Sequence, residues 1–206
     1  MICQNTRRAL TRVLLGALLC TSLAACTPLV VGGAVVSGLM VTDRRTSGTQ
    51  IEDEGIELRG VNRVHEALGE RGHVNVTSYN RQVLITGEVA TAQDKVLVEQ
   101  VVSKIENVRA TINEVEVMGA SSLTSRSSDA FITGRIKAAY VDARELSANA
   151  FKVVTERGTV YLMGRVSRAE AERGTEIARG VSGVLKVVRI FEYLTDDELR
   201  QMQSKK

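Results

Sequence analysis

Val83-Leu84-Ile85-Thr86-Gly87-Glu88-Val89 returns further along the chain as Val160-Tyr161-Leu162-Met163-Gly164-Arg165-Val166. Each copy is a short β-branched and aliphatic run closed by a glycine, and a helix-compatible segment follows at once. The pattern predicts strand, tight exit and helix, twice over, so the chain is read first as an internal repeat.

The flanks repeat as well. Val74-Asn75-Val76-Thr77 and Phe151-Lys152-Val153-Val154 precede the two copies, across polar turns at Tyr79-Asn80-Arg81-Gln82 and Glu156-Arg157-Gly158-Thr159. Both predict hairpins. Downstream, Val98, Val101, Val102 and Ile105 recur at helical spacing, as do Ile177, Ala178 and Val181. The helices stop near Val108 and Val184, and apolar strands follow over 112–117 and 187–194. A leading helix over about 52–68, with Val61, Val64 and Leu68 on one face, and another over about 129–141 complete two αββαβ units. A helical crossover makes the second and third strands of each unit parallel, while the hairpin is antiparallel. The fold class is therefore α+β: two small units, each a three-stranded mixed sheet with two helices packed on one face.

The amino terminus is read separately. Arg7, Arg8 and Arg12, the apolar run 13–19 and Leu23-Ala24-Ala25 have the anatomy of a secretory signal peptide. Leu23-Ala24-Ala25-Cys26 resembles the bacterial lipobox, whose cysteine is acylated after cleavage. An ordinary signal peptide, or an uncleaved span over 13–41, is the alternative. Cys3 and Cys20 would leave with the signal, and acylation accounts for Cys26, the one cysteine that remains. The signal also removes three arginines from a total of 27 basic and 24 acidic residues, leaving 24 of each. No basic excess then points to nucleic acid, and with no tryptophan there is little on which bases would stack.

Residues 27–41 form a second apolar stretch, shorter than the roughly 20 residues of a spanning helix, and are read as a tether. Gly119 to Ser128 is serine-rich and is read as a linker. Thr195-Asp196-Asp197-Glu198 has capping-box spacing and predicts a short terminal helix.

Catalysis finds little support. His65-Glu66 begins like a zinc-protease motif, but Gly69 stands where the second histidine is needed. His65 and His73 are the only histidines, and Ser167 and Ser182 have none in their unit. Gly32-Gly33 and Gly38 lack the lysine of a phosphate loop. No catalytic residue, metal ligand or cofactor is assigned.

The lipobox, Asp43-Arg44-Arg45 with Gly48-Thr49-Gln50, the two strand-glycine patterns, Asp129-Ala130-Phe131-Ile132-Thr133 and Val181-Ser182-Gly183-Val184 together resemble the dual BON-domain outer-membrane lipoproteins. On that resemblance the chain divides into a signal peptide (1–25), a lipidated tether and polar linker (26–50), BON domain 1 (51–118), a Ser-rich linker (119–127), BON domain 2 (128–195) and a tail (196–206). The resemblance implies a non-enzymatic protein anchored in the outer membrane through Cys26, with its body in the periplasm; Thr27 is not the aspartate associated with inner-membrane retention. It further implies binding of anionic phospholipid by the second BON unit and support of outer-membrane integrity, in some members at the division site or near the machinery that assembles β-barrel proteins.

The residues offer a locus for such contact. If Ile132, Ile136 and Ala139 face the sheet, then Phe131, Gly134, Arg135 and Ala138 share the outward face, with Lys137 and Arg144 nearby. An inserted ring beside a guanidinium suits a bilayer interface. The competing reading is a scaffold that binds envelope proteins without touching lipid headgroups, and the two separate on whether Phe131 is buried between the units or exposed.

Overall fold

The computed structural model describes residues 43–204. The signal peptide, Cys26 and the tether to residue 42 lie outside the described residues. Helix α1 (Ser47–Leu68) leads into a short 3-10 turn and the hairpin β1 (Gly72–Tyr79) and β2 (Gln82–Val89). Helix α2 (Ala92–Ser103) crosses over to β3 (Ala110–Asn113) and β4 (Glu116–Val117). The second unit repeats the order with α3 (Leu123–Asp142), β5 (Phe151–Glu156), β6 (Thr159–Val166), α4 (Arg168–Gly180) and β7 (Lys186–Tyr193), and α5 (Asp196–Ser204) ends the described chain. β1 pairs antiparallel with β2, and β5 with β6; β3 and β4 run parallel to β2, and β7 to β6. Both mixed three-stranded sheets are thus present, the third strand of the first being broken where Asn113 Oδ1 accepts the Val115 N–H.

The two central strands explain the arrangement of the units. On β2, Val83 and Ile85 join Val98 and Val102 beneath the helices, while on β6 Val160 and Leu162 join Ile136 and Ala178. The alternate residues Leu84, Tyr161 and Met163 meet Tyr79 and Ile190 in a third cluster. The sheets therefore pack face to face and the helices form the two outer layers. Strands buried on both faces read as continuous apolar runs, which is why the two repeats do not alternate. All three clusters lie within the described residues, so a fragment beginning at Asp43 carries all three.

Three local expectations are corrected. Gly87 and Gly164 do not close their strands but sit inside them, paired with Val74 and Phe151. A Cβ at either would run into a backbone carbonyl oxygen of the adjoining segment, His73 O or Ala150 O. Val61 is exposed, the buried row of α1 being Asp53, Ile56, Gly60, Val64 and Leu68; likewise Tyr140, not Ala139, completes the buried row of α3. The leading helices also begin earlier than read. Thr46 caps α1, and Ser122 caps α3 by accepting the Ser125 N–H, so most of the serine-rich stretch is helical. The terminal helix forms behind the expected capping box of Thr195 and Glu198.

Each leading helix holds its hairpin through one aspartate. Asp53 accepts from the backbone N–H of Asn80 and Arg81 at 2.8 and 2.7 Å, and Asp129 from those of Arg157 and Gly158 at 2.8 and 2.9 Å. All four turn residues have positive φ, the signature of a two-residue type I′ turn. Between the units, Arg157 pairs with the buried Glu88 at 2.6 Å.

The Asp43-Arg44-Arg45 segment acts as a clasp. Arg45 joins Asp43 to Asp53 and lies over the Tyr79 ring. Arg44 forms a bidentate pair with Glu170 at 2.6 and 2.8 Å and donates to Arg165 O. Burial alone would raise the Glu170 pKa, but Arg44 and the Ser167 N–H together hold it below the ordinary carboxylate range. A depressed carboxylate adds stability that is complete above the unfolded-state pKa, about 4.3, and fades as pH falls through the folded value. Arg44→Ala is therefore expected to cost about 1–2 kcal/mol at pH 7. In urea titrations the gap from wild type should close below about pH 4; a gap independent of pH would remove the ion pair as its cause.

Candidate membrane-facing site

Helix α3 is the outer edge of the second unit. Its buried row, Asp129, Ile132, Ile136 and Tyr140, packs on β5 and on α4, where the Tyr140 hydroxyl donates to Gly174 O at 2.8 Å. The opposite face is open. Phe131 is 68% exposed, and Gly134, Arg135, Lys137 and Ala138 are exposed with it. A Cβ at Gly134 would meet nothing within 4 Å, so that face is flat and accessible.

The structure brings the expected group together. The Arg135 guanidinium lies 5.8 Å from the Phe131 ring centroid, and its Nη1 reaches Ser182 O at 3.5 Å, at the limit of a hydrogen bond. Lys137 lies on the flank of this face, one turn beyond Thr133, and not at its centre. Phe131 is therefore not buried between the units: that contact is made by the sheets. Cys26 lies outside the described residues.

Three further apolar residues extend the site. Leu123, 79% exposed, and Val141, 69% exposed, fall on the same side of α3 as Phe131, toward its two ends. Leu185, 82% exposed, stands on the turn between α4 and β7, where its N–H donates to Gly158 O. Leu123 was hidden by its serine-rich surroundings. For Leu185 the signal was a leucine directly before Lys186 in a turn, where burial has no need of it.

Among the described residues no helix is long and apolar enough to cross a membrane, and no cluster of His, Cys, Asp or Glu suits a metal. Outward apolar side chains flanked by Arg135 and Lys137 suit an interface between hydrocarbon and anionic headgroups.

Comparison with known proteins places this architecture. The family model described as BON domain matches residues 58–119 and 128–194. The chain is 36% identical over 185 residues to the outer membrane lipoprotein DolP of Haemophilus influenzae, covering 88% of this chain and 94% of that protein. It is 34% identical over 154 residues to a 21 kDa hemolysin of Actinobacillus pleuropneumoniae, covering 74% and 79% of the two chains. Half of it, 51%, aligns at 32% identity with half, 50%, of the osmotically-inducible protein Y of Escherichia coli. Two matched domains in a face-to-face sandwich, with a full-length lipoprotein relative, lead to one assignment: the chain belongs to the BON-domain family, as a dual BON-domain outer-membrane lipoprotein.

Proposed function

We propose that this lipoprotein is a non-enzymatic envelope protein, acylated at Cys26, whose periplasmic body binds anionic phospholipid through α3 and thereby supports outer-membrane integrity. The observation that carries this reading is the exposure of Phe131 on the outer helical layer, on the same side of α3 as the exposed Leu123 and Val141. Arg135 and Lys137 add attraction to an anionic surface of roughly 1 kcal/mol each. The geometry is compatible with contact to the anchoring membrane. Arg44 is held beside Arg165 at the far end of β6 from Gly158 and Leu185, about 23 Å away at ~3.3 Å per residue. The chain from Cys26 to Asp43 reaches at most about 55–60 Å.

Flotation of residues 43–206 with phosphatidylcholine vesicles, with or without phosphatidylglycerol, tests the proposal. Binding is expected only with the anionic lipid, and Phe131→Glu and Arg135→Glu are each expected to lower it at least tenfold. A folded wild type that ignores both vesicles would sink the idea. A second reading, a protein-docking scaffold, draws on Ile51 and Leu58, 70% and 65% exposed on α1. Its partners would include division-associated or outer-membrane protein assembly factors. Substituting these two residues should leave vesicle binding unchanged.

A further inference from the structure

A cleft of about 400 Å³ opens at the edge of the sandwich, between β1 of the first unit and α3 and β5 of the second. On α3, Arg126, Asp129, Ala130 and Thr133 line it, Arg126 and Thr133 in a row that borders the face carrying Phe131. His73 and Asn75 line it from β1, and Thr155 and Glu156 from β5.

The lining is charged in a particular order. At one end stand two basic groups, Arg126 and His73, with Glu88 opposite His73 on β2 and accepting from the Ser121 hydroxyl at 3.4 Å. Arg126 donates from Nε and Nη2 to Ser121, which leaves Nη1 free of any partner among the described residues. The His73 ring has no hydrogen-bond partner among them either. Burial, and then the Arg126 charge, hold the imidazole below its ordinary pKa, while Glu88, opposite it on β2, pulls the other way.

At the other end stands Glu156, which among the described residues accepts only from Asn75 Nδ2 at 3.1 Å. Burial, then Glu88 and Asp129, outweigh that bond and Arg157 and push its carboxyl above the ordinary range. Asp129 is committed to the hairpin turn, and the Arg157 guanidinium to Glu88 and Gly119 O. Thr133 and Thr155, which also line the cleft, share a 2.7 Å hydrogen bond. Arg126 Nη1 and His73 on one side and Glu156 on the other are complementary to a molecule with an anion at one side and a hydroxyl or ammonium group at the other.

We propose that this cleft is a headgroup site: it takes a phosphodiester carrying a polar substituent, with the phosphate toward Arg126 and His73 and the hydroxyl or ammonium group toward Glu156. The volume lies within the range of small-molecule sites. A phosphate is recognised by a guanidinium and an imidazolium together. The source of the ligand, a lipid at the bilayer or a free glycerophosphodiester, rests on the membrane reading above; the chemistry of the cleft does not.

The test reads His73 directly by NMR, since the chain has only two histidines. The imidazole pKa of each is followed in residues 43–206 with glycerophosphoglycerol, glycerophosphoethanolamine, inorganic phosphate or phosphatidylglycerol bicelles. A diester is expected to raise the His73 pKa by at least about half a unit, threefold in proton affinity, and to leave His65 unmoved. Arg126→Gln should abolish the shift, and Glu156→Gln should weaken the ethanolamine diester while leaving inorganic phosphate as it was. A shift with bicelles alone identifies a lipid source, and one with soluble diesters a free one. Phe131→Glu separates the two proposals, because it removes vesicle binding and is expected to keep the shift with soluble diester. No shift with any diester or bicelle, or one matched by inorganic phosphate at equal concentration, overturns the assignment.

Discussion

Asp53→Ala is expected to lower the stability of residues 43–206 by about 3–5 kcal/mol. Asp53 is 1% exposed and closes four contacts: the Ser78 hydroxyl at 2.6 Å, the Asn80 and Arg81 N–H groups, and Arg45 at 2.8 Å. Each such bond to a charged group is worth roughly 1.5 kcal/mol or more, and alanine leaves the buried donors without a partner. Burial would raise the Asp53 pKa, yet the Ser78 hydroxyl, the two turn N–H groups and Arg45 overcome it and hold the carboxyl below its ordinary value.

The sign follows as for any depressed carboxylate. The contribution is whole above about pH 4 and is lost as the solution is made more acid. Asp129→Ala removes two backbone contacts and so is expected to cost less, about 2 kcal/mol. Urea unfolding followed by circular dichroism measures both. Equal losses would mean that Ser78 and Arg45 contribute nothing, and that the turn alone sets the cost.

The same aspartates show why the sequence was only partly legible. A carboxylate in the buried row and Leu123, Phe131 and Val141 in the exposed one nearly cancel the apolar periodicity of α3. Its start at Ser122 lacks the glutamate three residues on that marks the caps at Ser167 and Thr195, so a helix end read as a linker. The repeat, the hairpins and the crossovers were legible because they rest on local periodicity and on chain handedness. Face-to-face packing was written in the unbroken apolar runs of β2 and β6, but such a run is equally compatible with burial under helices on both sides. Phe131 and Arg135 could be placed on one face from spacing alone. The cleft could not, because it joins β1 to α3 and β5 across the two units.

The glycine at the heart of the repeat gives the second large effect. Gly87→Ala is expected to destabilise by about 3 kcal/mol or more, from two causes that add. Gly87 has φ 111, a conformation an L side chain rarely adopts, and the new Cβ would collide with His73 O on the paired strand. Relief requires β1 and β2 to part where Gly87 faces Val74, with both faces of β2 buried. Gly164→Ala meets Ala150 O in the same way, but Gly164 is not among the positive-φ residues, so a smaller loss is expected. Gly134→Ala on the open face of α3 is the contrast: nothing lies within 4 Å of the added methyl, and helix propensity predicts a gain of up to ~1 kcal/mol. Thermal unfolding of the three variants should order them Gly134→Ala above wild type, then Gly164→Ala, then Gly87→Ala. If Gly87→Ala melted with the wild type, the close approach of the two strands would not be what requires glycine there. The repeated glycine would then need another cause.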